Sequence, residues 1–251
     1  MDIKHKVVIA TGAGRGMGRA IAKQLASEGA YVVLVAKTKH TLQEVADEIG
    51  ASSGEAMPIP TDITKREQVE AMVEQVVARY GTVDVLVNCA FWGPPASLDD
   101  TTEEFWDRTL DTCLKAPYLC TRAVVPIMRQ QQSGRIINIG SKAGKMGEDN
   151  RTAYCAAKWG LEGLTAALAI ELLKDNIHVH LISPAATFTP FWTENARNLT
   201  QDSIDRMIPA ETIAATVSWV LHQPDQVNIN DVHVYNFRNP FEGKSSPFAT
   251  D

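Results

Sequence analysis

The chain has 251 residues, of which 45% are hydrophobic and 22% are charged, and its formal net charge is −6 at pH 7. This length accommodates one large α/β domain or two small ones. The acidic balance and the lack of a basic block argue against nucleic acid as the main partner. No apolar run approaches the roughly 20 residues that span a bilayer, so no membrane span is expected.

The first residues and the cysteines predict the compartment. The apolar run at 7–10 is too short for a secretory signal peptide. The four cysteines form no CxxC pair, and the six histidines form no HExxH motif. A disulfide framework and a metal site are therefore not expected, and a cytoplasmic location is predicted.

Strands and helices alternate along most of the sequence. Strands are predicted at 6–10, 31–35, 56–60, 82–87, 135–139, 177–182 and 231–235. Helices are predicted from the loop after the first strand to residue 28, and at 41–50, 65–80, 103–132, 152–175 and 209–222. The helix at 103–132 is expected to be disturbed near Pro117 and Pro126, and 185–208 is expected to be less regular.

This alternation is typical of a parallel sheet that is covered by helices on both faces. We therefore predict an α/β fold, a doubly wound Rossmann-type sheet of about seven strands. The sequence contains no internal linker or repeat, so a single domain over 1–251 is predicted, with 238–251 as a C-terminal tail.

A glycine loop follows the first predicted strand. It has the form Gly12-x-x-x-Gly16-x-Gly18 and comes directly after Thr11. Glycines let the backbone turn sharply and let a phosphate approach, while the following helix N-terminus offers unpaired N–H groups. The strand–loop–helix context therefore predicts a dinucleotide site.

Polar residues also follow the later predicted strands. In doubly wound sheets, ligands bind at the carboxyl ends of the strands. These strand-end residues are Lys37, Asp62, Asn88, Ser141 and the loop at 184–189. Their common position predicts a single site along this edge of the sheet.

The stretch from Ser141 to Lys158 contains the candidate proton-transfer group. Tyr154 and Lys158 are four residues apart, so on a helix they share one face. A cation one turn away stabilises the phenolate form of a tyrosine. Ser141 follows a predicted strand and can donate a hydrogen bond to a substrate oxygen near the phenol.

With these residues in place, the chain resembles the short-chain dehydrogenase/reductase family over nearly its whole length. The glycine loop, the Ser141/Tyr154/Lys158 set and the Pro184–Thr189 stretch match family motifs in the right order. The resemblance implies that Tyr154 is the general acid in reduction and the base in oxidation. It further implies that Lys158 hydrogen-bonds the nicotinamide ribose and that Ser141 polarises the substrate carbonyl.

The charges near the second strand bear on the choice of cofactor. Family members that bind NAD usually place an acidic residue there, whereas this chain has Lys37 and also carries Arg15 in the glycine loop. Two cations suit the 2′-phosphate of NADP(H), which is therefore the predicted cofactor. The cofactor-binding residues are predicted to be Gly12, Arg15, Gly16, Met17, Gly18, Lys37, Asp62, Ile63, Asn88, Ala90, Tyr154, Lys158, Pro184, Thr187 and Thr189.

Four positions depart from the family pattern, one of which is Ala185, where the family's Pro-Gly-x-x-x-Thr stretch has Gly. Cys89 and Phe91 interrupt the Asn-Asn-Ala-Gly motif, and Cys113 stands where relatives usually have an Asn that helps hold a relay water. A thiol is a weak hydrogen-bonding group, so the relay is in question.

Bulky residues predict the substrate pocket. They are Phe91, Trp92, Phe188 and Trp192, with Phe191 in the same segment as the last two.

The resemblance implies an NADP-dependent ketone reductase or secondary alcohol dehydrogenase. Two alternatives stay open: a 3-oxoacyl-thioester reductase, and a non-catalytic NADP(H)-binding regulator. The partners expected are a small carbonyl or alcohol substrate and further copies of the chain, as a homodimer or homotetramer.

Overall fold

The computed structural model describes residues 1–196 and 199–242. In these residues the strands are Val7–Thr11 (β1), Tyr31–Ala36 (β2), Glu55–Pro60 (β3), Val85–Asn88 (β4), Gly134–Ile139 (β5), Ile177–Pro184 (β6) and Asp231–Val234 (β7). The α-helices are Gly16–Ser27 (α1), Lys39–Ala51 (α2), Arg66–Tyr80 (α3), Glu103–Leu110 (α4), Ala116–Gln131 (α5), Thr152–Glu171 (α6), Pro190–Asn195 (α7), Gln201–Asp205 (α8) and Ala210–Leu221 (α9).

The strands form one parallel sheet in the order β3-β2-β1-β4-β5-β6-β7. The chain builds outward from β1 to β3, then returns to place β4 beside β1 and builds in the opposite direction. A crevice opens at such a reversal, at the carboxyl ends of the strands. The predicted doubly wound, Rossmann-type fold is confirmed.

The central strand β1 is buried on both faces, which explains why its first four residues are all apolar. Val8 and Ala10 face a core that is shared with α1, α2 and α9. Val7 and Ile9 face the opposite core, which contains residues of α3 and α5. Successive side chains of a strand point to opposite faces of the sheet, so β1 contributes residues to both cores.

The helix predicted at 103–132 is divided by a π-helical turn at 111–115, between α4 and α5. Pro117 has no N–H to give to the carbonyl of Cys113, four residues earlier, which explains why the wider turn lies here. Pro126 lies inside α5. The predicted disturbance near Pro117 is thus a defined π turn with Cys113 at its centre.

Two other stretches differ from the predictions. The segment at 185–208, predicted to be less regular, contains the short helices α7 and α8. Within the predicted tail, Pro240 is buried and the Phe241 ring packs on Trp192, with 5.3 Å between ring centroids. Residues 243–251 of the predicted tail lie outside the described residues.

None of the helices in the described part of the chain combines the length and apolar character that a bilayer crossing requires. The same residues contain no group of three or more His, Cys, Asp or Glu side chains arranged to hold a metal ion.

Candidate active site

Two adjoining cavities open at the carboxyl edge of the sheet. The catalytic cavity, of about 590 Å³, is lined by Ser141, Tyr154 and Lys158. The glycine-loop cleft, of about 580 Å³, is lined by Gly12, Gly16, Lys37 and their neighbours. The residues that line both are Met17, Cys89, Phe91, Thr189 and Phe191. The two cavities therefore meet at a shared wall, which suits one elongated ligand that extends from one to the other.

The glycine loop requires glycine for conformational and steric reasons. Gly12 has φ +68°, and a Cβ there would lie 2.8 Å from the Cα of Ala90. A Cβ on Gly18 would collide with the carbonyl oxygen of Gly12. Thr11, at the start of the loop, is joined to the residues after β4: its hydroxyl accepts from the backbone N–H of Cys89 and of Ala90 at 3.0 and 3.2 Å. The loop is thereby held directly against the end of β4.

The N-terminus of α1 is open to an anion. Its N-cap residue is Arg15, and no side chain caps the first turn. The uncapped N–H groups and the positive end of the helix dipole therefore face the loop, where a phosphate fits.

The two cations predicted to select NADP(H) both form surface ion pairs. Lys37 Nζ lies 3.0 Å from Asp62 Oδ2, and Arg15 Nη1 lies 2.6 Å from Glu194 Oε1 on α7. Partial burial acts to raise the pKa of Asp62, but hydrogen bonds from Thr64, together with the Lys37 pair, outweigh it and lower that pKa. Both cations line the glycine-loop cleft.

Two of the predicted cofactor residues, Asp62 and Asn88, line neither cavity. Asp62 is not part of the cleft lining, although Thr61, Ile63 and Thr64 are. Asn88 is buried and donates from its amide to Asn138 Oδ1 at 2.8 Å, so it braces β4 against β5. Asn88 thus joins two strands and Asp62 pairs with Lys37, and the cofactor contacts of both residues stay predictions.

The proton-transfer candidates lie on β5 and α6. Ser141 lies two residues beyond the end of β5, and its Oγ accepts from the Ala143 N–H at 3.1 Å. Tyr154 lies in the first turn of α6 and Lys158 one turn later. Lys158 is 4% exposed, and its Nζ donates to the carbonyl of Ile139 at 2.7 Å. That bond ties α6 to the end of β5, which brings all three side chains to one cavity.

Arg151 also lines this cavity, and the sequence motifs did not predict it. Its Cζ is 4.1 Å from the centroid of the Tyr154 ring and 5.3 Å from that of Phe191. The residue is 6% exposed. The only sequence signal was its place three residues before Tyr154, a spacing that brings two side chains together on a helix.

Cys113 lies on the π turn that packs against α6. Its thiol donates to the carbonyl of Trp92 at 3.1 Å, and burial raises its pKa above the ordinary thiol value. Burial also raises the pKa of Cys89, to about 12. Both thiols are therefore neutral at physiological pH.

Aromatic rings line one side of the catalytic cavity. Phe91 meets Tyr154 and Phe191 in edge-on contacts, with centroids 6.0 and 5.3 Å apart. Trp192 packs on Phe191 at 5.7 Å and, as described above, on Phe241. Phe188, also predicted for the substrate pocket, is 37% exposed and lines neither cavity, and its backbone N–H donates to the carbonyl of Ile208. Phe191 takes that position, and Trp92 lines the glycine-loop cleft instead.

The loop after β6 borders both cavities. Pro184 and Thr187 line the catalytic cavity, and Thr189 lies at the shared wall, where a Cβ on Gly16 would be 3.3 Å from its methyl group. The loop is fixed by the Asn236 amide, which hydrogen-bonds the backbone N–H and carbonyl of Ala186.

Comparison with known proteins decides the family. A sequence model described as short chain dehydrogenase matches residues 6–200. The chain belongs to the short-chain dehydrogenase family. The resemblance predicted from the motifs is thereby confirmed, and the protein is an oxidoreductase of this family.

Relatives of similar length support the assignment. This short-chain dehydrogenase is 34% identical over 233 residues to an uncharacterized oxidoreductase of Staphylococcus aureus, covering 92% of this chain and 97% of the relative. It is also 34% identical over 241 residues to an uncharacterized oxidoreductase of Listeria monocytogenes, covering 93% and 97%.

Solved structures share the fold. A metagenomic short-chain oxidoreductase in complex with NADP superimposes with a TM-score of 0.82 at 35% identity, covering 95% of this chain and all of the other. Levodione reductase superimposes with a TM-score of 0.85 at 29% identity, covering 92% and 96%.

Proposed function

We propose that this short-chain dehydrogenase is an NADP(H)-dependent ketone reductase or secondary alcohol dehydrogenase in which Tyr154 transfers the proton. The observation that carries this proposal is that Ser141, Tyr154 and Lys158 line one cavity, which shares a wall with the glycine-loop cleft. A carbonyl next to Tyr154 is then also next to a ligand that reaches in from the glycine loop.

The residues present fit NADP(H). The uncapped N-terminus of α1 and the glycines that leave no room for a Cβ suit the pyrophosphate. Arg15 and Lys37 would take the 2′-phosphate, each exchanging a surface carboxylate for it. A relative of the same fold is solved with NADP, which supports the choice. The chemistry that the cofactor supplies when bound is hydride transfer.

The chain's own residues then handle the proton and the carbonyl oxygen. Tyr154 donates a proton to that oxygen in reduction and removes it in oxidation. Ser141 orients the oxygen with a hydrogen bond. Lys158 is buried with its ammonium on the carbonyl of Ile139, so it presents a fixed positive charge to the phenol and to the ribose.

The aromatic wall indicates the class of substrate. Phe91, Phe191, Trp192 and Phe241 form a chain of ring contacts along the catalytic cavity. Such a wall favours flat apolar ketones, since aromatic rings stack on one another and on planar groups. Levodione reductase, whose name gives a dione as its substrate, is a structural relative.

The test is to assay a panel of carbonyl compounds with NADPH and with NADH, and to measure turnover by the consumption of the reduced cofactor. Faster turnover of cyclic and aryl ketones with NADPH is the expected result. Preferred turnover of 3-oxoacyl thioesters would support that alternative, and NADPH binding without turnover of any carbonyl would support the regulator.

We also propose that the protein is a cytoplasmic homodimer or homotetramer. All four cysteines are free thiols, which suits a reducing compartment. On α6, the large side chains of Trp159 and Ile170 are 52% and 77% exposed, which suits contact with another copy. Sedimentation of the purified protein would measure the oligomer, and a monomer at all concentrations would contradict it.

A further inference from the structure

The Tyr154 ring is in contact with two buried cations. The Lys158 ammonium lies 5.7 Å from the ring centroid, and the Arg151 guanidinium lies 4.1 Å from it. Lys158 belongs to the proposed proton-transfer group, whereas the motifs of the sequence give Arg151 no role. Arg151 is the N-cap residue of α6 and is almost completely buried.

The guanidinium of Arg151 lies close to two aromatic rings. Its Cζ is 4.1 Å from the centroid of the Tyr154 ring and 5.3 Å from that of the Phe191 ring. A cation over an aromatic face is attracted by the ring, and more strongly once both are desolvated. When the phenol ionises, that attraction becomes one between opposite charges. Arginine keeps its charge at every pH of interest, so this contribution does not titrate away.

We propose that Arg151 is a positioning residue for Tyr154, which fixes the orientation of the ring and stabilises the phenolate together with Lys158. This inference rests on the proposed function. Arg151 acts through Tyr154 and takes no part in the hydride or proton transfer itself.

Other charged and titratable groups surround Tyr154 and must be considered with Arg151. Those that line the catalytic cavity are Lys142, Glu148, Asp149, Lys158, Cys89 and Tyr235. Cys113 lies on the π turn that packs against α6, and Arg108 of α4 lies over the Trp92 ring. On α7, Glu194 pairs with Arg15. Lys142 is paired with Glu148 at 3.2 Å, and both thiols are neutral. Within residues 1–196 and 199–242, Arg151 and Lys158 are therefore the cations that contact the Tyr154 ring.

The experiment compares Arg151→Met with wild type in two readouts. In alcohol oxidation Tyr154 must be ionised, so the acidic limb of the pH profile of kcat is expected to move to higher pH by about one unit or more. The second readout is an ultraviolet difference titration of the phenolate, with Tyr154→Phe as the reference that identifies the Tyr154 signal. It needs no substrate, and the same upward shift is expected.

Three further variants complete the test. Arg151→Lys keeps the charge and is expected to keep both readouts near wild type. If Arg151→Met does not fold, Arg151→Gln removes the same charge with a polar side chain of similar length. The matched control is Arg79→Met: Arg79 lies 5.5 Å over the ring of Tyr80 on α3, outside both cavities, so neither readout should move.

The outcomes separate this inference from the proposed function. An unmoved Tyr154 titration in Arg151→Met would overturn the inference, even if the wild type reduces ketones. A raised KM with both readouts unmoved would also overturn it, because Arg151 would then act on the substrate. Absence of turnover in the wild type would overturn the function, while a shifted titration would still support the contact between Arg151 and the phenolate.

Discussion

The two cavities that meet at Phe91 differ in the burial of the cations that have a proposed role in each. In the catalytic cavity, Lys158 and Arg151 are 4% and 6% exposed, and each is fixed by contacts within the protein. In the glycine-loop cleft, the side chains of Lys37 and Arg15 are 60% and 63% exposed and pair with surface carboxylates.

This difference in burial indicates a difference in role. An exposed ion pair contributes only about 0–1 kcal/mol, so Lys37 and Arg15 can exchange a carboxylate for a ligand phosphate at little cost. A buried charge is costly to leave without its partners, so the surroundings of Lys158 and Arg151 keep them in place. The cleft is thus suited to binding and release, and the catalytic cavity to a fixed electrostatic environment.

The largest effect on activity is expected from a substitution of Tyr154, in the catalytic cavity with the buried cations. Tyr154→Phe removes the proton donor while keeping the ring that contacts Phe91 and Arg151. We expect turnover to fall by about 10²- to 10⁴-fold, the usual contribution of a general acid. Steady-state kinetics and a cofactor titration would measure this, with cofactor affinity nearly unchanged. Tyr118→Phe, on the exposed surface of α5, is the control and should behave as wild type. Near wild-type activity in Tyr154→Phe would refute the proposed role.

A buried histidine outside both cavities tests whether burial governs charge elsewhere in the protein. His180 in β6 is fully buried, and desolvation lowers its pKa to about 4. Between about pH 6.5 and 4 the unfolded chain therefore binds a proton that the folded chain does not. The free energy of unfolding should fall by up to about 3 kcal/mol as pH drops through this window. Above about pH 6.5 this contribution is absent.

Denaturant unfolding from pH 7 to pH 4 measures this effect. His180→Leu should show a weaker pH dependence than wild type, whatever its stability at pH 7. His222→Leu replaces an exposed histidine and should keep the wild-type dependence. Equal pH dependence in His180→Leu and wild type would contradict the expected role of burial.

Reversing the charge of Lys37 in the glycine-loop cleft should alter the preference between NADPH and NADH. Lys37→Asp replaces the cation by a carboxylate that repels a 2′-phosphate and can accept from ribose hydroxyls. A charged hydrogen bond contributes about 1.5–3 kcal/mol, so the preference for NADPH over NADH should fall about ten- to hundredfold. The ratio of kcat/KM with the two cofactors measures it. Lys39→Asp, two residues further on and outside the cleft lining, should change the ratio much less. An unchanged ratio in Lys37→Asp would refute the cofactor assignment.

The smallest effect is expected at Cys113. Asparagine there can donate to the Trp92 carbonyl as the thiol does, and it is a stronger hydrogen-bonding group. We expect kcat to stay unchanged or to rise, by at most about tenfold, or about 1.4 kcal/mol in barrier height. Cys120→Asn is the contrast, since Cys120 is buried in the apolar core beside α5 and should lose stability without gaining activity. A large loss of rate in Cys113→Asn would show that the thiol has a role of its own.

Much of the fold follows from local sequence pattern. The apolar runs of β1 and β2 are buried on both faces of the sheet, and such runs are recognisable without knowing their neighbours. The boundaries of β4 were less predictable. Asp84, in the stretch predicted as strand, lies before β4 and uses its carboxylate to accept from the backbone N–H of Val7 and from Lys6. This contact joins residues more than 70 positions apart, so no local window contains it.

The candidate site divides in the same way. The sequence by itself determined the glycine loop, the strand–helix alternation and the spacing of Ser141, Tyr154 and Lys158. Each of these depends on a local rule: backbone freedom, side-chain period or helical spacing.

Only the tertiary structure decided which charges are buried and which rings meet. It placed Arg151 over Tyr154, brought Phe241 from the predicted tail to Trp192, left Phe188 outside both cavities and paired Arg15 with Glu194. These outcomes depend on how distant segments pack and on the direction of each side chain within that packing, which local periodicity does not determine.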